Sequence, residues 1–76
     1  MNVEILSPEK TYFSGPALSV TLPGESGSFS VLDHHAPIMS TLEKGNIIID
    51  SGKLTIPIQK GVVQVLNNKV IVLVQA

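Results

Sequence analysis

The sequence has no cysteine, no arginine, few aromatic residues and no long apolar run. Each absence removes a class of function. Without cysteine there are neither disulfides nor thiolate metal sites, which fits a reducing compartment. Without arginine, and with five lysines scattered along the chain, there is no basic cluster of the kind that reads phosphate. The net charge of −1 gives no electrostatic pull toward nucleic acid or anionic lipid. No apolar stretch approaches the ~20 residues of a membrane span, so direct membrane insertion is not expected. The start, Met1-Asn2-Val3-Glu4, lacks a basic segment followed by an apolar one, so no secretory leader is expected. Helical spacing is missing too: apolar positions at i, i+3, i+4 and i+7 are interrupted by Gly, Pro or β-branched residues.

What is present is a run of short β-strands. The 76 residues suffice for one domain, 1–76. So short a chain buries only ~60% of its unfolded surface, and a partner can matter to its stability. Val3 and Ile5 alternate with polar neighbours, and Ser7-Pro8-Glu9-Lys10 follows as a turn. Tyr12-Phe13 begins a second extended piece, stopped by Gly15-Pro16. Leu18, Val20 and Leu22 form the cleanest alternation. Residues 38–42 are short and ambiguous. Asn46–Asp50 is a β-branched run, closed by Ser51-Gly52 into a strand whose inward face is Leu54, Ile56 and Ile58. Pro57 marks that strand as an edge or a break. Asn67-Asn68 is a hairpin signal between Val62–Leu66 and Lys69–Val74. The unbroken apolar run of the last strand predicts burial on both faces. The expected fold is all-β, a small two-sheet β-sandwich of roughly eight to ten short strands.

Residues 22–37, Leu22-Pro23-Gly24-Glu25-Ser26-Gly27-Ser28-Phe29-Ser30-Val31-Leu32-Asp33-His34-His35-Ala36-Pro37, depart from plain alternation. Gly24 and Gly27 bracket a polar turn, where glycine takes φ > 0 without steric cost. Phe29 and Val31 then alternate with Ser28 and Ser30. Asp33-His34-His35 ends the strand, and Pro37 keeps the exit extended. Gly24, Gly27 and Pro37 read as loop-shaping residues, and the tip they hold reads as a docking surface.

Catalysis and metal binding are weaker readings of the same residues. A hydrolytic triad needs nested geometry, which side-by-side Asp33, His34 and His35 do not supply. Adjacent residues on a strand point to opposite faces, so the two histidines do not share one ion. No glycine-rich phosphate cradle opens a helix. No catalytic residue, metal or cofactor is expected.

Residues 22–37 resemble the signature of the epsilon subunit of rotary F-type ATP synthases, roughly L-P-G-x-x-G-x-F-G-V-L-P-x-H-A-P. The similarity extends along the chain. Ser7-Pro8-Glu9 resembles the family's T-P-E turn, and Leu42 with Gly45 its L-x-P-G turn. Gly61-Val62-Val63-Gln64-Val65, with Val70 and Leu73, resembles its closing strand pair. Ser30, Asp33-His34, Lys60 and Gln64 depart from the pattern. Ser28 stands where an acidic residue is common, so any acidic contribution to docking there is absent.

The resemblance implies a non-catalytic rotor subunit that links the gamma subunit to the membrane c-ring, and so couples proton translocation to ATP synthesis or hydrolysis. It implies a peripheral position at the cytoplasmic face of the bacterial inner membrane. It matches His35 to the family histidine that faces the polar loops of the ring, with Ser28, Asp33 and His34 as further ring contacts. Gamma-contact residues do not follow from a motif. The helical pair that inhibits rotation or senses ATP in relatives would lie beyond Ala76, so those roles are not carried over. The alternative reading is a free-standing β-sandwich that binds an unrelated protein through the 24–37 loop.

Overall fold

The computed structural model describes Met1–Ala76. The chain forms nine strands: β1 Asn2–Leu6, β2 Thr11–Pro16, β3 Ser19–Gly24, β4 Gly27–Leu32, β5 Ile38–Leu42, β6 Gly45–Ile49, β7 Leu54–Ile58, β8 Lys60–Leu66 and β9 Lys69–Gln75. One 3-10 turn, Asp50–Gly52, joins β6 to β7. The fold is the all-β sandwich that the alternation predicts.

The strands form two layers. One has the order β2-β1-β9-β8-β5, the other β4-β3-β6-β7. They meet where Gly24 of β3 pairs with Leu42 of β5, and there the Glu43 N–H donates to the Pro23 carbonyl at 2.8 Å. β1 runs parallel to β9, and the other pairings are antiparallel. Between the layers lies one core of sixteen buried residues, all hydrophobic and mostly Val and Ile. Branched side chains fit a pleated, half-buried surface. Burying each one fully is worth about 1.5–3 kcal/mol, which is how a chain with so few aromatics closes a core. Asn67 and Asn68 both lie in the left-handed region, φ 51° and 60°, as the tight β8–β9 hairpin requires. Pro57 sits in β7, which pairs only with β6; the strand is an edge.

Four details differ from the sequence reading. The ambiguous residues 38–42 are a regular strand, paired along their length with β8. Leu18 is not on the inward face: β3 starts at Ser19, and Leu18 is 78% exposed while Ala17 beside it is buried. Leu54 is also exposed at its end of β7, leaving Ile56 and Ile58 as the inward pair. The last strand is buried on one face only. Val70, Val72 and Val74 point into the core, while Leu73 is 51% exposed and Ile71 half-buried. No further layer covers β9, so its apolar run marks an open face instead of a double-sided core.

Candidate docking surface

The two ends of the sandwich differ chemically. One end gathers the turns at residues 7–10, 25–26, 43–44 and 59–60, and carries Glu9, Lys10, Glu25, Glu43, Lys44 and Lys60. The Ser7–Lys10 bond, the Glu43–Pro23 bond and the Gln59–Gln75 bond close these turns. The opposite end carries Asp33, His34 and His35 with the 67–68 turn, and exposed leucines: Leu18, Leu32 (58% exposed), Leu54 and Leu66.

The Asp33–His35 tip is held from three sides. Asp33 accepts a hydrogen bond from the Met1 ammonium at 2.6 Å. That ammonium, then the Asn68 side chain, holds the Asp33 carboxyl below its ordinary value. The next residue, His34, has φ 61° and donates its backbone N–H to Asn68 Oδ1 at 2.7 Å. Its ring is 80% exposed, with Nε2 at 3.6 Å from Asp33 Oδ2. His35 is half-buried. Its backbone N–H donates to the Leu32 carbonyl at 3.1 Å, and its Nδ1 lies 2.7 Å from the Ala36 carbonyl. A carbonyl only accepts, so Nδ1 carries the proton and Nε2 is the nitrogen left for a partner. The two rings thus engage different neighbours and do not converge on one point.

Of the four residues expected to act together, the structure brings together Asp33, His34 and His35. Ser28 stands apart. It lies one residue from the 24–27 hairpin, and five steps of strand, ~17 Å, separate it from Asp33. Pro37 leads into β5 beside the tip, whereas Gly24 and Gly27 shape the far end of β4. Gly27 has φ 120°, as the turn reading expects. Gly24 serves differently: a Cβ there would lie 2.8 Å from both the Gly27 carbonyl oxygen and the Phe29 ring.

A second surface has no counterpart in the motif. On the outer face of β5, β8 and β9, Met39 lies opposite Gln64, and Gln64 opposite Ile71; Thr41, Val62 and Leu73 form the next row. Leu6 of β1 pairs with Leu73 and extends that row. Met39 is 76% exposed and Val62 is also exposed. Met39, Thr41, Val62, Gln64, Ile71 and Leu73 line an open groove of about 580 Å³. The sequence signal for it was the uninterrupted apolar run of β9. Read as double burial, it concealed an apolar face turned outward. An exposed apolar area of this kind marks an interaction site.

Comparison with known proteins bears on the whole chain. The family described as ATP synthase, Delta/Epsilon chain, beta-sandwich domain matches residues 1–76. The ATP synthase epsilon chain of Sulfurimonas denitrificans is 46% identical over 78 aligned residues, covering 99% of this chain and 60% of that protein. The ATP synthase epsilon chain of Cyanothece sp. is 38% identical, with 100% of this chain and 56% of that protein covered. The chain therefore spans somewhat over half the length of these relatives. Among solved structures, a chain of the Tetrahymena thermophila mitochondrial ATP synthase central stalk and c-ring superposes with a TM-score of 0.83 at 19% identity, covering 99% of this chain and 63% of that one. A chain of the Euglena gracilis mitochondrial ATP synthase gives 0.88 at 18% identity, covering 97% and 49%. At that identity the likeness is one of fold.

Proposed function

Because this chain belongs to the ATP synthase delta/epsilon chain β-sandwich family, we propose that it is a non-catalytic rotor subunit joining the gamma subunit to the c-ring. The observation that carries the reading is the presence of two chemically distinct surfaces on one rigid body. The apolar face around Met39, Val62, Ile71 and Leu73 suits a lasting contact with gamma. The tip of Asp33, His34 and His35 suits the polar loops of the ring, with Ser28, at the far end of β4, as an outlying contact. The position that follows is peripheral, at the cytoplasmic face of a bacterial inner membrane. No helix here is long and apolar enough to cross a membrane.

The mechanical demand supports this division. Each charge crossing the membrane carries about 2.3 kcal/mol per 100 mV. One exposed ion pair, worth ~0.2–1 kcal/mol, does not hold such a load. A distributed interface on the order of 1,600 Å² does, and a sheet face supplies area where a loop tip supplies register. The test is a titration of the folded chain against an ATP synthase core that contains gamma and lacks epsilon. One chain binding per core, with recovered attachment to membranes that hold the ring, is the expected result. A folded chain that leaves the core unbound overturns the assignment and favours an unrelated partner at the 24–37 loop.

A further inference from the structure

The turn between β8 and β9 reaches beyond its own hairpin. Asn67 and Asn68 form it, between the paired Leu66 and Lys69, and both have positive φ. Two-residue hairpin turns of this kind favour glycine at the second position. Asn68 stands there instead, half-buried, so the backbone alone does not call for its side chain. That side chain goes to the tip, where its Oδ1 accepts the His34 N–H at 2.7 Å. A backbone N–H needs an acceptor, which assigns the oxygen to this end of the amide and leaves Nδ2 as the free donor.

The tip needs such a brace. Leu32 to His35 form a turn, closed by the His35 N–H on the Leu32 carbonyl at 3.1 Å. His34 is the third residue of that turn, with φ 61°, a position that ordinarily takes glycine or asparagine. A residue held in the left-handed region persists only where its surroundings fix it. The bond that closes the turn does not use the His34 N–H, and Asn68 is the partner of that amide. Asp33, beside it, is held by the Met1 ammonium at 2.6 Å. The brace also crosses the molecule. The tip leads from β4 in one layer to β5 in the other, whereas Asn68 lies between β8 and β9, two of the strands that carry the apolar groove.

We propose that Asn68 is a positioning residue for the ring contact: its side chain sets the tip conformation that presents His34 and His35, so coupling depends on a residue of the β8–β9 hairpin. This role rests on the assignment of the tip to the ring. Asn68 acts through the His34 backbone and not by meeting the ring itself. Asn67, exposed and in the same backbone conformation, serves the hairpin alone.

The experiment sets Asn68→Gly against Asn67→Gly. Glycine takes the left-handed backbone freely, so both variants keep the hairpin and fold. In the isolated chain, the His34 amide exchanges about two- to tenfold faster in Asn68→Gly, the range of one lost hydrogen bond. In Asn67→Gly it keeps its original rate. With each chain bound to a gamma-containing core on ring-containing membranes, Asn68→Gly lowers the protons pumped per ATP hydrolysed by a similar factor, and Asn67→Gly does not. An unchanged His34 amide in Asn68→Gly overturns the proposal, whatever the tip contacts. Equal effects of the two variants overturn it too, because Asn68 is then a hairpin residue only. Faster exchange with full pumping also overturns it, and the double variant of His34→Asn with His35→Ala separates the causes. If that variant loses pumping, the ring reading stands and Asn68 is dispensable to it. If that variant pumps fully, the ring reading itself has failed.

Discussion

The Phe29 ring occupies the space that a side chain at position 24 would need. A Cβ on Gly24 would fall 2.8 Å from Phe29 Cε1 and 2.8 Å from the Gly27 carbonyl oxygen. The ring can shift, but the Gly27 backbone is fixed by its hairpin. Gly24→Ala should therefore destabilise the fold by about 1–3 kcal/mol, as overpacking does. A lower urea midpoint at unchanged slope checks this. An unchanged midpoint would show that the hairpin yields freely.

Acid should weaken the fold through Asp50. Its Oδ1 accepts the backbone N–H groups of Leu18 at 2.7 Å and Ser19 at 3.1 Å. Those two bonds, Leu18 first, hold its carboxyl below the ordinary value of 3.8. The folded state thus binds the proton less readily than the unfolded chain. Above pH 3.8 the contribution is present in full; it fades as pH falls from there through the lowered folded value. Asp33 adds a dependence of the same sign. Asp50→Asn should flatten the acid limb of melting temperature against pH without abolishing it. An acid limb identical to that of the unmodified chain would remove Asp50 from this role.

The strands were legible because alternation reports burial directly. Val3, Ile5, Val20, Leu22 and Val31 are buried where the pattern put them. The Asn67-Asn68 turn was legible because few residues take positive φ in pairs. Leu18 was misread because alternation does not show where a strand starts; Asp50, 32 residues away in sequence, fixes the end of β3. Leu73 was misread because an apolar run looks the same under a second layer and under open water. The tip residues were visible as chemistry, but their grouping was not. Ser28 and Asp33 look close in sequence, yet an extended strand holds them at opposite ends.

Leu73→Lys tests the apolar face. Leu73 is half out of the core, so stability should change by less than about 0.5 kcal/mol. In the proposed gamma contact it sits in the central row with Val62. A charge there should weaken binding to a gamma-containing core about tenfold or more, the scale of a central interface residue. Equal affinity of the variant and the unmodified chain would move the gamma contact off this face.

The tip should give the opposite pattern. His34→Asn tolerates the left-handed backbone at φ 61°, because asparagine adopts that region readily. His35→Ala removes Nε2, along with the ring hydrogen bond to the Ala36 carbonyl. Neither change touches the sixteen-residue core, so the fold should persist. If the tip meets the ring and the sheet face meets gamma, the double variant should bind the gamma-containing core as before. It should then lose ATP-driven proton pumping in ring-containing membranes while hydrolysis continues. Reconstituted vesicles report pumping and hydrolysis in the same sample. Loss of core binding would place gamma at the tip, and unchanged pumping would remove His34 and His35 from the coupling contact. The Leu73 and tip variants together separate the surfaces, because a shared interface would make both fail in the same assay.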